Sequence, residues 1–286
     1  TALNSSIEQV SYTSVTTNQL AYSEQFDNSY WTNFSSTTTA NAGVAPDGTT
    51  TADKLIVNTG AQSRAGTSRT GLSSDSYHTL SIYAKPDGFN YLSIVQSTSS
   101  GLSTQGVQFN VSTGVVAHSY RANGTITDAG NGWYRCSMIP TSSTVSSQSS
   151  FHASDGGTPG SWYHTVVTGD GTKGILIWGA QRETTALTGY LRTTTSASSG
   201  IIGVTRGVSG TTATTASSGG TITIGSTSTT LSGDITATQT GIPLASVSGV
   251  AASGTASIGT SNMDLNLSAS GTGSVTINQI KTNSVT

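Results

Sequence analysis

The stretch Thr79-Leu80-Ser81-Ile82-Tyr83-Ala84-Lys85, closed by Pro86-Asp87-Gly88, decides the class of fold. Leu80, Ile82 and Ala84 recur at every second position, the period of a strand with one face on a core, which sends Tyr83 and Lys85 to the other side of the sheet. Pro86 fixes φ and Gly88 permits a positive one, so the spacing predicts a tight turn directly after the strand. Ala45-Pro46-Asp47-Gly48 repeats that chemistry upstream, with a strand read at 54–57 between the two turns. Further strands are read at 91–96, 106–111, 114–118, 133–139, 162–167 and 174–180, and no segment of helical period is long enough to compete. The class is therefore all-β, and the regular spacing implies a sandwich of the jelly-roll kind.

Composition narrows the function. Only 33% of the 286 residues are hydrophobic and 8% are charged, with 34 glycines, so polarity here comes from hydroxyls and not from charge. A formal charge of -2 from 11 basic and 13 acidic residues leaves no cluster of Lys and Arg with which to hold phosphates, which argues against a nucleic-acid partner. No apolar run approaches the ~20 residues of a membrane-spanning helix, so no membrane insertion is expected. Thr1-Ala2-Leu3-Asn4 has neither the basic start nor the apolar middle of a signal peptide, and the expectation is assembly in a cytoplasm. Cys136 is the only cysteine, which excludes an intrachain disulfide and a cysteine-rich zinc site.

The chain changes character near Tyr190, the last aromatic residue. Beyond it the charges are Arg192, Arg206, Asp234, Asp264 and Lys281, in a background of Thr, Ser, Gly and Ala with scattered Ile, Val and Leu. Aromatic side chains bury about 150–250 Å² each, so a segment without them must borrow apolar area, and an oligomer through 196–286 is expected. This composition resembles that of fibre-like phage proteins, and it is that resemblance which implies a homotrimer. A repeat reinforces the idea of stacking: Gly220-Thr221-Ile222-Thr223-Ile224-Gly225 through Leu231 returns 34 residues later as Gly254-Thr255-Ala256-Ser257-Ile258-Gly259 through Leu265, which would place equivalent strands in two successive layers. The expected organisation is an N-terminal arm at 1–19, a sandwich at 20–195, and a thin Gly/Thr-rich β segment at 196–286, intertwined or stacked with other copies.

Leu20-Ala21-Tyr22-Ser23-Glu24-Gln25-Phe26-Asp27-Asn28 with Trp31-Thr32 is followed in order by Ala45-Pro46-Asp47-Gly48-Thr49-Thr50-Thr51-Ala52-Asp53-Lys54-Leu55 and Leu80-Ser81-Ile82-Tyr83-Ala84-Lys85. Gln108-Phe109-Asn110-Val111-Ser112-Thr113-Gly114, Gly132-Trp133-Tyr134-Arg135-Cys136-Ser137 and Ile177-Trp178-Gly179-Ala180-Gln181 complete the series. Over about 20–195 this order resembles the carbohydrate-binding-module-like jelly roll of phage tail and virion proteins. The resemblance implies a virion context, tail or surface, with other virion proteins as partners.

Sugar recognition needs aromatic faces for pyranose C–H groups and Arg, Lys, Asn or Asp for hydroxyls. Alternation puts Tyr83, Lys85, Trp133 and Arg135 on one outward face, since Tyr134, Cys136 and Met138 take the core side, and Trp162 follows the loop at 156–160. These five are the candidate carbohydrate-binding residues. Cleavage needs two carboxylates across one bond, and Asp47, Asp87, Asp155 and Asp170 sit in turn contexts where the side chain caps amides. His78, His118, His152 and His164 show no metal-ligand spacing, and Glu24, Asp27, Asp53 and Glu183 are candidate calcium ligands only if backbone carbonyls join them. No cofactor, metal or catalytic residue is assigned. The expectation is a non-enzymatic structural component of a bacteriophage particle, a fibre or surface appendage touching host glycans, with a capsid decoration protein and a polysaccharide depolymerase as alternatives.

Overall fold

The computed structural model describes residues 7–62, 64–72, 78–97, 105–141, 147–157, 159, 166–184, 186–205, 219, 221–224, 227–232, 241–251 and 253–259. The fold is all-β. With strands numbered in chain order, one six-stranded sheet runs β11 (Val115–Tyr120), β10 (Gln105–Asn110), β9 (Tyr91–Ser97), β14 (Gln148–Ser154), β7 (Gly66–Arg69) and β3 (Thr32–Phe34). The other runs β12 (Ala122–Gly130), β13 (Trp133–Pro140), β8 (Thr79–Asp87), β16 (Gly174–Glu183), β5 (Ala52–Val57) and β4 (Ser36–Gly43). A short ribbon of β6 (Gly60–Gln62) and β15 (Val167–Gly169) lies beside them. The two large sheets share one core, to which Leu55, Leu80, Ile82, Cys136 and Ile177 contribute from one side and Leu92, Ile94, Val107, Phe109 and Phe151 from the other. Phe26 and Trp31 close one end of it, their rings 5.0 Å apart and Phe26 edge-on to Phe151 at 6.3 Å.

The chain passes between the sheets at both sides of the sandwich through a single residue. Ser35 separates β3 from β4 at φ 49°, and Arg121 separates β11 from β12 at φ 51°. A left-handed conformation costs a non-glycine residue about 1–2 kcal/mol, which the packing on either side of each corner must offset. The turn expected at Pro86 comes later: β8 continues through Pro86, paired with Ile175 of β16, after the register with β13 has ended at Ala84. An unpaired N–H side is where a strand tolerates proline. The reversal falls at Gly88, at φ 104°, where an added Cβ would stand 2.9 Å from the Cα of Lys173.

The segments expected to be an arm and an aromatic-free tail fold together. One sheet runs β1 (Ile7–Tyr12), β21 (Gly254–Gly259), β18 (Thr221–Ile224), β19 (Thr227–Thr230), and another runs β2 (Ser14–Asn18), β17 (Ser198–Ile202), β20 (Gly241–Leu244). Backbone bonds join them at both seams: Ser11 N to Thr205 O at 3.1 Å and Thr205 N to Ser11 O at 2.8 Å on one side, Ala245 N to Thr230 O at 2.8 Å on the other. Leu231 and Leu244 bridge the second seam as well. The result is a small closed barrel around Tyr12, Ile201, Val204, Ile222, Ile224, Leu231, Ile242, Leu244, Ala256 and Ile258. The repeat is placed differently from expectation: its copies are neighbouring antiparallel strands, with Ile222 opposite Ile258, because a closed barrel needs them side by side and not in layers. Leu265 of the repeat and residues 162–165 of the strand read at 162–167, Trp162 and His164 among them, lie outside the described residues.

Candidate functional site

Tyr83, Lys85, Trp133 and Arg135 do share the outward face of the β12–β4 sheet, as alternation requires, but that face is roofed. The β4–β5 connection curls back over it, and the Trp133 indole N–H donates to Val44 O at 3.0 Å while that of Trp178 donates to Thr51 Oγ1 at 3.0 Å. From the other side the 186–191 segment lays Tyr190 against Trp178, with ring centroids 4.7 Å apart, and against Tyr83 at 6.0 Å. Trp133, Trp178, Leu176, Ala45 and Ala52 form a second small core there. Trp133 is 1% exposed and offers no face to a sugar. Arg135 donates to Thr188 O at 2.6 Å and Ser81 Oγ at 3.0 Å and so fastens this roof, while Lys85 Nζ donates to Asn131 O at 2.8 Å and ties β8 to the β12–β13 turn. Burial pushes the Tyr83 phenol up, with Arg135 opposing. Trp162 lies outside the described residues.

The buried carboxylates are engaged structurally. Asp53, on the core side of β5, accepts from Phe26 N at 2.6 Å and Asn41 N at 2.9 Å, tying the end-closing loop to an irregularity in β4. Burial pushes its pKa up to about 6, against those two amides, and the Asp27 charge adds to the rise. Glu24 is raised by burial too, against Arg192, whose Nε stands 3.0 Å away, and against the Tyr190 hydroxyl that donates to it at 3.0 Å. Glu183 accepts from the hydroxyls of Thr16 and Thr188. Among the described residues no three of His, Cys, Asp or Glu gather as metal ligands.

Asp53 carries a pH dependence whose sign follows from linkage. A carboxyl with a raised folded-state pKa binds its proton more tightly in the folded chain, so its contribution is fully present below about 4 and is lost as pH rises through about 6. The expected result is a higher denaturant midpoint at pH 5 than at pH 7.5, worth at most about 1.4 kcal/mol. Asp53→Asn should flatten that slope; an Asp53→Asn protein with the wild-type slope would show that another group is responsible.

The outward face of the other large sheet was not singled out from the sequence. Register sets His118, Gln108, Ser93, His152, Gly66 and Phe34 in one row across all six strands. The middle of the row is closed off, with Ser93 at 1%, Gln108 at 0% and His152 at 3% exposure. Its two margins are open to solvent. At one, the Arg64 guanidinium lies 4.5 Å from the Phe34 ring centre; at the other, Arg121 lies 5.1 Å from that of Tyr120, which is 45% exposed. Exposed His118 and Ser119 stand beside Tyr120 on β11. This accessible pairing of ring and guanidinium is the chemistry sought on the opposite sheet. The strand read at 114–118 stopped just short of it, because Ser119-Tyr120-Arg121 continues no apolar alternation.

No family model matches this chain, and no curated protein matches it. Among solved structures it is similar to the crystal structure of the enzymatically active domain of tailspike protein 4 from bacteriophage CBA120, at 17% identity and a TM-score of 0.34, over 58% of this chain and 21% of that one. The expectation of a non-enzyme meets a finding that runs against it, since that neighbour is titled an enzymatically active domain, and the expectation is not carried further. A TM-score of 0.34 carries no argument for an activity of this chain either.

Proposed function

We propose that this chain is a component of a bacteriophage particle, tail or surface, that engages polysaccharide of the host through its sandwich. The observation that carries the reading is the exposed Tyr120 ring with the Arg121 guanidinium 5.1 Å from its centre, displayed at a sheet margin. An aromatic face stacks on pyranose C–H groups while a guanidinium takes the hydroxyls or acids beside them. The ordered motifs that resemble virion jelly rolls support the particle context: in the structure they supply Trp133, Trp178 and the 45–51 turn, which pack as one unit. Other virion proteins are the expected partners. Assembly as a homotrimer through 196–286 belongs to the same proposal, with contacts made by the barrel surface, since the barrel core is filled within one chain.

A panel of bacterial surface polysaccharides, each incubated with the purified full chain, tests the reading when retention and release of reducing ends are followed together. Retention by at least one polysaccharide is expected. Release of reducing ends would assign a depolymerase activity on top of binding, and absence of retention across the panel would sink the proposal.

A further inference from the structure

Of the thirteen acidic residues of the chain, the four on strands of the two large sheets all belong to one sheet. The strands β12, β8, β5 and β16 carry Asp128, Asp87, Asp53 and Glu183, whereas β3, β7, β9, β10, β11 and β14 carry no carboxylate at all. Round the Arg121 corner the first carboxylate along the chain is Asp128, at the far end of β12, where it accepts from Gly130 N at 2.7 Å. Beyond β14 the first is Asp155, past the end of the strand opposite Tyr91. Tyr120, Arg121 and His118 therefore stand on a face whose own strands oppose no negative charge.

We infer that the β11 margin, Tyr120 with Arg121 and His118, is a subsite for an acidic polysaccharide, one that carries carboxylates along a hydroxylated chain. The inference rests on the proposed contact with polysaccharide and specifies its chemistry. A guanidinium presents paired N–H donors that match a carboxylate and gains more from it than from a neutral hydroxyl. Held 5.1 Å from the centre of the Tyr120 ring, it offers that fork next to an apolar plate, so that one sugar unit can stack while its acid group pairs. Charge complementarity with a carboxylate-free sheet also speeds encounter with a polyanion and makes binding salt-dependent. The geometry of the corner makes the test clean: Arg121 sits at φ 51°, a conformation glycine adopts without strain, so Arg121→Gly removes the guanidinium and leaves the turn.

The full chain is titrated at low and high salt against alginate, as a polyuronate, against dextran of matched length, and against duplex DNA. Affinity for alginate at least tenfold above that for dextran at low salt, falling about tenfold in Arg121→Gly and in Tyr120→Ala, is the expected result. Equal affinity for alginate and dextran, or alginate binding unaltered in Arg121→Gly, overturns the acidic subsite and leaves polysaccharide contact standing. DNA bound as tightly as alginate overturns it as well, since the margin would then be reading charge alone. Absence of binding to any polysaccharide, here and across the bacterial panel, overturns the subsite together with the proposed function.

Discussion

Removing residues 1–13 is expected to unfold the C-terminal barrel and leave the sandwich standing. The deletion takes away all of β1, whose six residues pair with β21 from Ile7 opposite Gly259 to Tyr12 opposite Gly254. Among the described residues, two registered pairs, Ile222 with Ile258 and Thr223 with Ser257, would then hold β21 to the rest of the barrel. It also opens the seam at Ser11 and Thr205 and removes Tyr12, the single aromatic among the buried residues of that core. Tyr12 is 3% exposed and its hydroxyl donates to Ala251 O at 3.1 Å. Truncating a buried aromatic to alanine costs about 3–5 kcal/mol, which in a core of a few Ile, Leu and Val side chains is a large part of the ~5–15 kcal/mol that holds a domain folded. Hydrogen exchange reads the outcome by region: amides of 201–202, 222–224, 241–242, 244 and 254–258 should lose protection while those of β8, β9 and β16 keep theirs. Protection retained in the barrel after the deletion would mean that β1 merely decorates it.

That result bears on why a partner chain was expected. The residues after Tyr190 contain too little apolar area to close a core, and the arithmetic is correct as far as it goes. The missing area comes from the start of the same chain, Tyr12 and Val15, some two hundred residues away. Composition can show that a segment must borrow, but not from where, because the lender is identified only by long-range register.

The same limit separates the strands that were legible from those that were not. β8, β9, β10, β13 and β16 have an apolar row on the core side, and their period announces them. β14 reads Gln-Ser-Ser-Phe-His-Ala-Ser, with Phe151 and Ala153 on the core and Ser150 and His152 on the far side, so hydroxyls hide its alternation. β12 is a margin strand with two glycines and carries little apolar signal. For the candidate site, alternation correctly gathered Tyr83, Trp133 and Arg135 on one face. Whether such a face meets solvent is settled by what folds over it. Here that is the 44–51 turn and the 186–191 segment, neither of which neighbours β8 or β13 in sequence.

The second large effect is expected at Asn18, where the barrel meets the sandwich. Asn18 is wholly buried and uses all four of its common hydrogen-bonding positions on backbone. Its Nδ2 donates to Ala180 O and Leu191 O, both at 3.0 Å, and its Oδ1 accepts from Leu20 N and Arg182 N, both at 3.1 Å. One side chain thus joins the end of β2 to β16 and to the segment that roofs the second core. Around it Thr16 donates to Glu183 at 2.8 Å and Arg182 to Gln19 at 2.8 Å, so this part of the contact between the two units is polar and depends on complete pairing. Asn18→Leu keeps the approximate volume and strands four backbone groups, each of which costs about 1–3 kcal/mol when buried without a partner. Asn18→Asp keeps the acceptor for Leu20 N and Arg182 N but loses the two donors to Ala180 O and Leu191 O and adds a charge, and should be similarly damaging. A loss of at least 4 kcal/mol is therefore expected for Asn18→Leu, with early exchange of the amides of Leu20, Arg182 and Leu191 as its local signature. A loss under 1 kcal/mol would mean that water reaches those four groups and that the two units are joined loosely at this point.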